Sequence, residues 1–175
     1  MPAQLVKPSA KYEQSYREGL AELVADPNRN MSTHSDFLPE EETFAEYLDR
    51  LSDYEKGENL PFESWVSETI LWLVDGDEWI GKISIRHRLT EYLKNFGGNI
   101  GYEIRPSKRR QGYGSKILSL GKVAAKELGI SNIIITCNAS NIGSKKIIEK
   151  NGGVFLSEKL EPKEQKIKRR YQIQT

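Results

Sequence analysis

The stretch from Arg105 to Lys116 places three consecutive cations and two glycines directly before a predicted helix. The first turn of a helix has backbone N–H groups without partners, and the helix dipole adds partial positive charge there. Gly112 and Gly114 leave room for an anion to approach these groups. The cations beside them are Arg109, Arg110 and Lys116. Together these features predict a cradle for a phosphate or pyrophosphate.

Two common nucleotide signatures do not fit this stretch. The dinucleotide pattern G-x-G-x-x-G requires a glycine at position 117, where the chain has Ile117. The triphosphate pattern G-x-x-x-x-G-K-S/T requires a Gly-Lys-Ser/Thr run, which the chain lacks. We therefore expect neither NAD nor ATP to be held in those ways.

The segment Arg109-Arg110-Gln111-Gly112-Tyr113-Gly114 resembles the acetyl-CoA loop of the GNAT superfamily of N-acetyltransferases, whose pattern is Q/R-x-x-G-x-G/A between a strand and a helix. The segment from Asn141 to Gly152 is similar to the second family segment, where an Asn and a small residue precede a short helix that ends in lysine-x-glycine. The resemblance covers about residues 65–157, and the flanking parts are compatible in order only.

The resemblance implies acetyl-CoA as cosubstrate, bound by backbone N–H groups of residues 109–114 and by the strand that ends at Ile104. Asn141 would contact the pantetheine arm, with Ser144 nearby, while basic side chains meet the phosphates. The residues expected to bind the cofactor are Ile104, Arg109, Arg110, Gln111, Gly112, Tyr113, Gly114, Ser115, Asn141, Ser144 and Lys145. Alternatively, Asn141 is only a helix N-cap, and Arg110 and Lys145 are ordinary surface cations.

In the reaction that the resemblance implies, an amine attacks the thioester directly, so a base, an oxyanion donor near Ile104 and an acid for the thiolate are useful. Glu103 is the candidate base. Its alternative role is that of a strand residue paired with a cation such as Arg105 or Arg86. His87 and His34 are weaker candidates for the base.

The chain departs from the family at the acid. The tyrosine that often protonates the thiolate is Ile148 here, and the phenylalanine that often follows the glycine is Gly153. Tyr113 is a poor substitute, and Cys137, at the end of an apolar strand, is interpreted as packing rather than as a nucleophile. Either water protonates the thiolate, or catalysis is slow or absent.

Charge is unevenly distributed along the chain. Asp36–Glu63 holds ten acidic and two basic residues, whereas Arg105–Lys126 holds seven basic and no acidic ones. The acidic run favours a cationic acceptor such as a polyamine, an aminoglycoside or a protein amine, or is simply a solvated face. Nucleic-acid binding by the basic run is less favoured, because Tyr113 is the one aromatic residue within it.

The 175 residues suit one domain, and the formal net charge of +1 does not indicate a polyanionic partner. One cysteine and two histidines do not provide the usual ligands of a structural zinc. With no signal pattern and no long apolar run, we expect a cytoplasmic protein without a membrane partner. The N-acetyltransferase hypothesis competes with a catalytically inactive acyl-CoA sensor, which the missing tyrosine would explain. A homodimer through the edge of the C-terminal hairpin is possible.

Hydrophobic spacing predicts helices over residues 9–25, from Pro39 onward, from Gly112 to Gly129, and from Ser140 or Asn141 to Lys150. Strands are predicted at 69–74 and 78–89, joined by an Asp75-Gly76 turn, and at 100–104, 133–136, 154–160 and 167–173. Strand 133–136 is predicted to be buried on both faces. This order indicates a GNAT-like mixed α/β sheet, mostly antiparallel, with a central parallel βαβ pair and flanking helices.

Overall fold

A computed structural model of the protein describes residues 2–27 and 37–175. Its helices are α1 (Glu13–Ala25), α2 (Phe44–Lys56), α3 (Tyr113–Glu127) and α4 (Ile142–Lys150). Its strands are β1 (Gln4–Val6), β2 (Glu68–Asp75), β3 (Glu78–Arg86), β4 (Ile100–Ile104), β5 (Asn132–Asn138), β6 (Val154–Glu161) and β7 (Lys166–Gln174). Every predicted strand is present, and β1 is an additional one that the hydrophobic pattern did not indicate.

The strands form one seven-stranded sheet in the order β1-β2-β3-β4-β5-β7-β6. All neighbours are antiparallel except β4 and β5, which are parallel and connected through α3. This confirms the predicted mixed sheet with a central parallel pair. Ile100 and Ile135 form the one registered pair between β4 and β5 within the described strands, so the carboxyl ends of the two strands separate. This separation leaves an opening in the middle of the sheet.

The two faces of the sheet carry different cores. On one face, α3 and α4 cover an aliphatic cluster that includes Ile83, Ile117 and Ile135. On the other face, α1 and α2 cover an aromatic cluster that includes Tyr16 and Trp72. Because side chains alternate along a strand, β2 and β3 contribute to both clusters, whereas β4, β5 and β7 contribute to the aliphatic one.

Two predictions about local structure were wrong. The second helix begins at Phe44 and not near Pro39, because Thr43 caps it: its hydroxyl accepts from the Glu46 N–H while the Glu46 carboxylate accepts from the Thr43 N–H. Strand β5 is not buried on both faces. Ile133, Ile135 and Cys137 are buried, but the residues between them are half-buried, because a single π-helical turn at Leu93–Gly97 covers that side.

Among the described residues, no helix combines the length and the apolar composition that a bilayer crossing requires.

Candidate functional site

The N-terminus of α3 lies at the point where β4 and β5 separate, and its backbone is open toward solvent. Gly112 is the N-cap with φ of 88°, and no side chain caps the helix. A Cβ on Gly112 would contact nothing within 4 Å, so glycine is needed there for the backbone angle. Arg110 is exposed and also has a positive φ, 60°. The first-turn N–H groups are thus left for an external acceptor, as an anion site requires.

Gly114 has a packing role that the sequence did not indicate. A Cβ at this position would lie 2.6 Å from Cδ1 of Ile147, so the missing side chain lets α3 pack closely on α4. This packing reason stands beside the expectation that Gly114 makes room for an anion, which stays a prediction. Nearby, Asn151 donates to Ser115 at 3.3 Å through its side-chain amide, which ties the same two helices.

Three of the seven cations of the basic run are paired with acids. Arg105 contacts Glu22 at 2.5 Å, and its side chain is only 7% exposed. Lys108 contacts Glu78 at 2.7 Å, and Arg109 contacts Asp26 at 2.5 Å. Part of the basic run is thus not a free positive surface. Arg110 and Lys116 are exposed beside the α3 N-terminus, as is Arg109, which is paired with Asp26.

Arg109 is engaged through both its backbone and its side chain. Its N–H donates to the Pro106 carbonyl at 3.2 Å, and its Nε donates to the Ile104 carbonyl at 3.0 Å. Since its guanidinium also binds Asp26, this geometry makes Arg109 a brace between β4, the loop and α1. It does not favour the predicted contact of Arg109 with a phosphate.

The side chains of Gln111 and Tyr113 also stabilise the loop rather than point into the opening. Gln111 donates its amide to the Ser107 carbonyl at 2.9 Å. Tyr113 donates its hydroxyl to Asp75 at 2.8 Å, and this hydrogen bond raises the pKa of Tyr113. Tyr113 is thus bound to the β2–β3 turn, which agrees with the expectation that it is a poor acid for the thiolate.

The start of α4 brings a polar pair to the same opening. Asn141 is the N-cap, and its side-chain oxygen accepts from the Ser144 N–H at 2.9 Å. The Ser144 hydroxyl lies 3.1 Å from the hydroxyl of Tyr102 on β4. Burial raises the pKa of Tyr102 to about 12, although its hydrogen bond with Ser144 acts in the opposite direction. Lys145 is half-buried and lies 4.0 Å from Glu149, a weak contact within the helix.

Ile148 takes no part in the opening, because it is fully buried in the aliphatic core. A Cβ on Gly153 would lie 2.4 Å from Cγ2 of Ile148, so the two departures from the family pattern compensate each other in packing. Cys137 is 7% exposed. Burial raises the pKa of its thiol, while Arg169 and Ser144 lower it, and the net shift is upward. This supports the interpretation of Cys137 as a packed thiol rather than a nucleophile.

Glu103 lies half-buried on β4, and its register partner on β3 is Lys82. Tyr102 packs against the aliphatic cluster, so the neighbouring Glu103 side chain faces the α1 and α2 side of the sheet. The two arginines offered as its alternative partners form ion pairs with other acids. Arg105 pairs with Glu22 and Glu78, and Arg86 pairs with Glu68.

The histidines lie elsewhere. His87 follows β3, and its Nε2 lies 2.8 Å from the Thr69 hydroxyl. It is five residues along the chain from Lys82, about 16 Å at strand spacing, so it does not share the position of Glu103. His34 lies outside the described residues.

The sequence matches the family model of the GNAT acetyltransferase domain over residues 11–154. The chain belongs to the GNAT acetyltransferase family. The family match confirms the predictions of an acetyl-CoA-dependent acyltransferase and of acetyl-CoA as its cosubstrate. The sequence has no significant match among curated proteins.

Solved structures of GNAT proteins show the same fold at low sequence identity. The acetyltransferase from Salmonella typhimurium that modifies the N-terminal serine of ribosomal protein L7/L12 is 15% identical, with a TM-score of 0.69 over 99% of this chain and 95% of that one. A ribosomal L7/L12 α-N-protein acetyltransferase in complex with coenzyme A is 13% identical, with a TM-score of 0.65 over 98% and 93%. A spermidine N-acetyltransferase chimera from Vibrio cholerae and hSSAT is 13% identical, with a TM-score of 0.61 over 99% and 96%.

In this GNAT protein, much of the acidic run serves the fold. Glu42 pairs with Arg50 at 2.7 Å, and Glu46 closes the α2 capping box. Asp53 accepts from Asn59 at 2.8 Å, and Glu55 pairs with Lys7 at 2.8 Å. The run is therefore weaker support for a cationic acceptor than its composition indicated.

Two residues of the GNAT site escaped sequence reasoning. The strand that holds Tyr102 was expected to pair with the pantetheine arm, but the Tyr102 side chain was given no role, and its position beside Ser144 depends on the packing of α4 on β4. Glu22 contacts the loop from 83 residues away along the chain. The alternation of β4, with Ile100, Tyr102 and Ile104 on one face, was a signal that could have indicated Tyr102.

Proposed function

We propose that the protein transfers the acetyl group of acetyl-CoA directly to a primary amine, either of a cationic small molecule or of a protein. The observation that carries this proposal is the uncapped α3 N-terminus at the opening between β4 and β5, with Gly112 at φ of 88°. In this arrangement the pyrophosphate lies on the first-turn N–H groups, beside Arg110 and Lys116, and the pantetheine arm follows β4 into the opening.

Glu103 is proposed as the base that removes a proton from the attacking amine. It is on the central strand, and it faces the α1 and α2 side, from which an acceptor can approach the opening. The acetyl group would enter from the opposite direction, along the α3 and α4 side. A base and a thioester on the two sides of one opening are the geometry that direct transfer requires.

Tyr102 and Ser144 are proposed as the hydrogen-bond donors to the leaving thiolate. With a pKa of about 12, Tyr102 remains neutral at physiological pH. A free thiol has a pKa near 8.5, so full proton transfer from Tyr102 is uphill by roughly 3.5 pKa units, or about 5 kcal/mol. The pair therefore stabilises the thiolate through a hydrogen bond, and water delivers the proton. The Tyr102 and Ser144 pair would thus take over the function of the tyrosine that Ile148 replaces. The absence of that tyrosine is then weaker support for a catalytically inactive sensor.

The acceptor is proposed from the chemistry of the site and from the acceptors that similar GNAT proteins are named for. Those are the N-terminal serine of a ribosomal protein and spermidine, which are both primary amines. The exposed Glu40, Glu41 and Glu63 add negative charge on the α1 and α2 side and would attract a protonated amine.

The proposal is tested by release of coenzyme A thiol from acetyl-CoA in the presence of an N-terminal seryl peptide, spermidine, or neither. Amine-dependent thiol release with one acetylated product is the expected result. A thermal melt with coenzyme A provides the second measurement, in which a ligand at a hundred times its dissociation constant adds about 2.7 kcal/mol. Binding without turnover of any amine would favour the acyl-CoA sensor, and no binding would exclude both functions.

The homodimer remains a prediction. Strand β6 is the edge of the sheet, and Val154, Phe155 and Leu160 on it are each more than half exposed. Pairing of two β6 edges would cover these side chains. Sedimentation velocity of the wild type and of Phe155→Lys tests this: a dimer in the wild type that becomes a monomer in the variant would support it.

A further inference from the structure

We call the face of the sheet that α1 and α2 cover the acceptor side, and the face that α3 and α4 cover the cofactor side. Helix α1 contacts the anion-binding loop from the acceptor side. Glu22, in its last two turns, accepts four hydrogen bonds from the loop. They come from Arg105 Nε at 3.1 Å and Nη2 at 2.5 Å, and from the Ser107 N–H and hydroxyl, both at 2.9 Å. One residue after α1, Asp26 binds Arg109. Both ends of the segment 105–109 are therefore held by carboxylates of a single helix.

The contact is built into the structure rather than formed by chance on the surface. The Arg105 side chain is 7% exposed and also donates to the Trp79 carbonyl at 3.2 Å. Glu22 is ionised under all ordinary conditions: burial opposes its charge, but the hydrogen bonds from Arg105 and Ser107 prevail and lower its pKa to about 2. Breaking such charge-assisted hydrogen bonds is costly, because the buried guanidinium loses the nearer of its two carboxylate contacts, the other being Glu78 at 3.5 Å.

The loop held in this way has a shape that it would not adopt by default. The positive φ of Arg110 is unfavourable for a residue with a side chain, and the loop enters Gly112 in the left-handed region. Because the α3 N-terminus has no capping side chain, contacts from outside the loop add to those within it in maintaining this shape. Glu22 and Asp26 supply contacts of this kind at the first half of the loop, directly before Arg110.

We propose that Glu22 is a positioning residue for acetyl-CoA, which acts through Arg105 and Ser107 to keep the loop in its binding conformation. The inference rests on the proposed function, since it assumes that acetyl-CoA is the ligand of this loop. It adds a specific role for α1, a helix of the acceptor side, in the affinity for the cofactor.

The test is Glu22→Gln against Glu18→Gln. Glu18 is on the same helix one turn earlier, is exposed, and accepts from the Gln14 side-chain amide at 3.2 Å, so the substitution is chemically matched. The Kd for coenzyme A by calorimetry and the KM for acetyl-CoA are expected to rise about tenfold or more in Glu22→Gln. Both should stay within twofold of the wild type in Glu18→Gln. The kcat at saturating acetyl-CoA and the KM for the amine should change little in either variant.

This pattern separates positioning from simple loss of stability. Partial unfolding lowers the active fraction, and so the apparent kcat, without raising the KM for one substrate. If Glu22→Gln does not fold, Ser107→Ala removes one hydroxyl at an exposed position, and a two- to fivefold rise in the same KM and Kd is expected. Wild-type affinity in the folded variants would overturn the inference while leaving the proposed function intact. A wild-type protein that binds no coenzyme A would instead overturn the proposed function itself.

Discussion

The two faces of the sheet differ in the side chains that pack there and in the ligand that each is proposed to bind. The cofactor side packs aliphatic residues such as Ile83 and Ile117 under α3 and α4, and its site is made largely of backbone at a helix N-terminus. The acceptor side packs rings: Tyr16 stacks on Trp72 at 4.8 Å and meets Trp79 edge-on at 5.3 Å. Backbone geometry serves a ligand that is the same throughout a family, whereas side chains from separate elements can differ from protein to protein.

The comparison also shows how charge is used. On the cofactor side, the loop cations Arg105, Lys108 and Arg109 are neutralised by acids from α1 and β3. On the acceptor side, several acids of the acidic run cap helices or pair locally. In both regions fewer charged side chains are available to a ligand than the sequence composition indicates, because several of them form ion pairs or helix caps within the protein.

The largest expected effect is a loss of kcat on the acceptor side without a loss of coenzyme A binding on the cofactor side. Glu103→Gln should lower kcat about a hundredfold or more, since it removes the proposed base, while the thermal shift with coenzyme A is unchanged. The exposed Glu91→Gln, on the Thr90–Gly98 loop, is the control and should keep wild-type kcat. A variant that keeps its kcat but loses stability would show that Glu103 is a structural partner on the acceptor face.

The contact between the two sides should depend on pH. The pKa of Glu22 is lowered by folding from about 4.5 to about 2, so its contribution to stability is full above pH 4.5 and is lost as the pH falls toward 2. We expect the wild type to exceed Glu22→Gln in free energy of unfolding by about 1–3 kcal/mol at neutral pH. Urea titrations between pH 2 and pH 7 measure the difference, which should diminish through that acidic window; a difference that is constant with pH would contradict this account.

A matched pair of glycine substitutions compares the stiffness of the two cores. A Cβ on Gly19 would lie 2.5 Å from the Trp79 ring, and one on Gly121 would lie 2.2 Å from the terminal Cδ1 of Ile83. A buried ring has fewer ways to move than the end of an aliphatic chain, so Gly19→Ala should cost about 2–3 kcal/mol and Gly121→Ala less. Urea unfolding gives both values, and the reverse order would mean that the aromatic layer is the more adaptable one.

The smallest expected effect concerns the leaving group. Tyr102→Phe should lower kcat about tenfold, because one hydrogen bond to the thiolate is lost, with little change in the KM for acetyl-CoA. Ser144→Ala should change kcat in the same direction by a smaller factor. If thiol release by Tyr102→Phe equals that of the wild type, the protein uses water alone at this step.

Much of the cofactor side could be predicted because its signals are local. The glycine at the α3 N-terminus, the strand before it and the cap at Asn141 are predicted from short stretches of chain, and each strand end there lies within three residues of its prediction. The reason for Gly114 could not be read, because the Ile147 side chain that it contacts is on another helix. For the same reason, the partners of Arg105 and Arg109 on α1 were not foreseen.

The sequence by itself determined the family, the mixed sheet and the place of the anion-binding loop, since hydrophobic periodicity and glycine positions act over a few residues. The tertiary structure alone decided which cations are free, which tyrosine faces the opening, and which acids brace the loop. Those properties depend on contacts between residues such as Glu22 and Ser107, which are 85 positions apart. Such long-range packing determines which residues pair with a charge or a hydrogen-bonding group. A pattern within a short stretch of sequence does not indicate these partners.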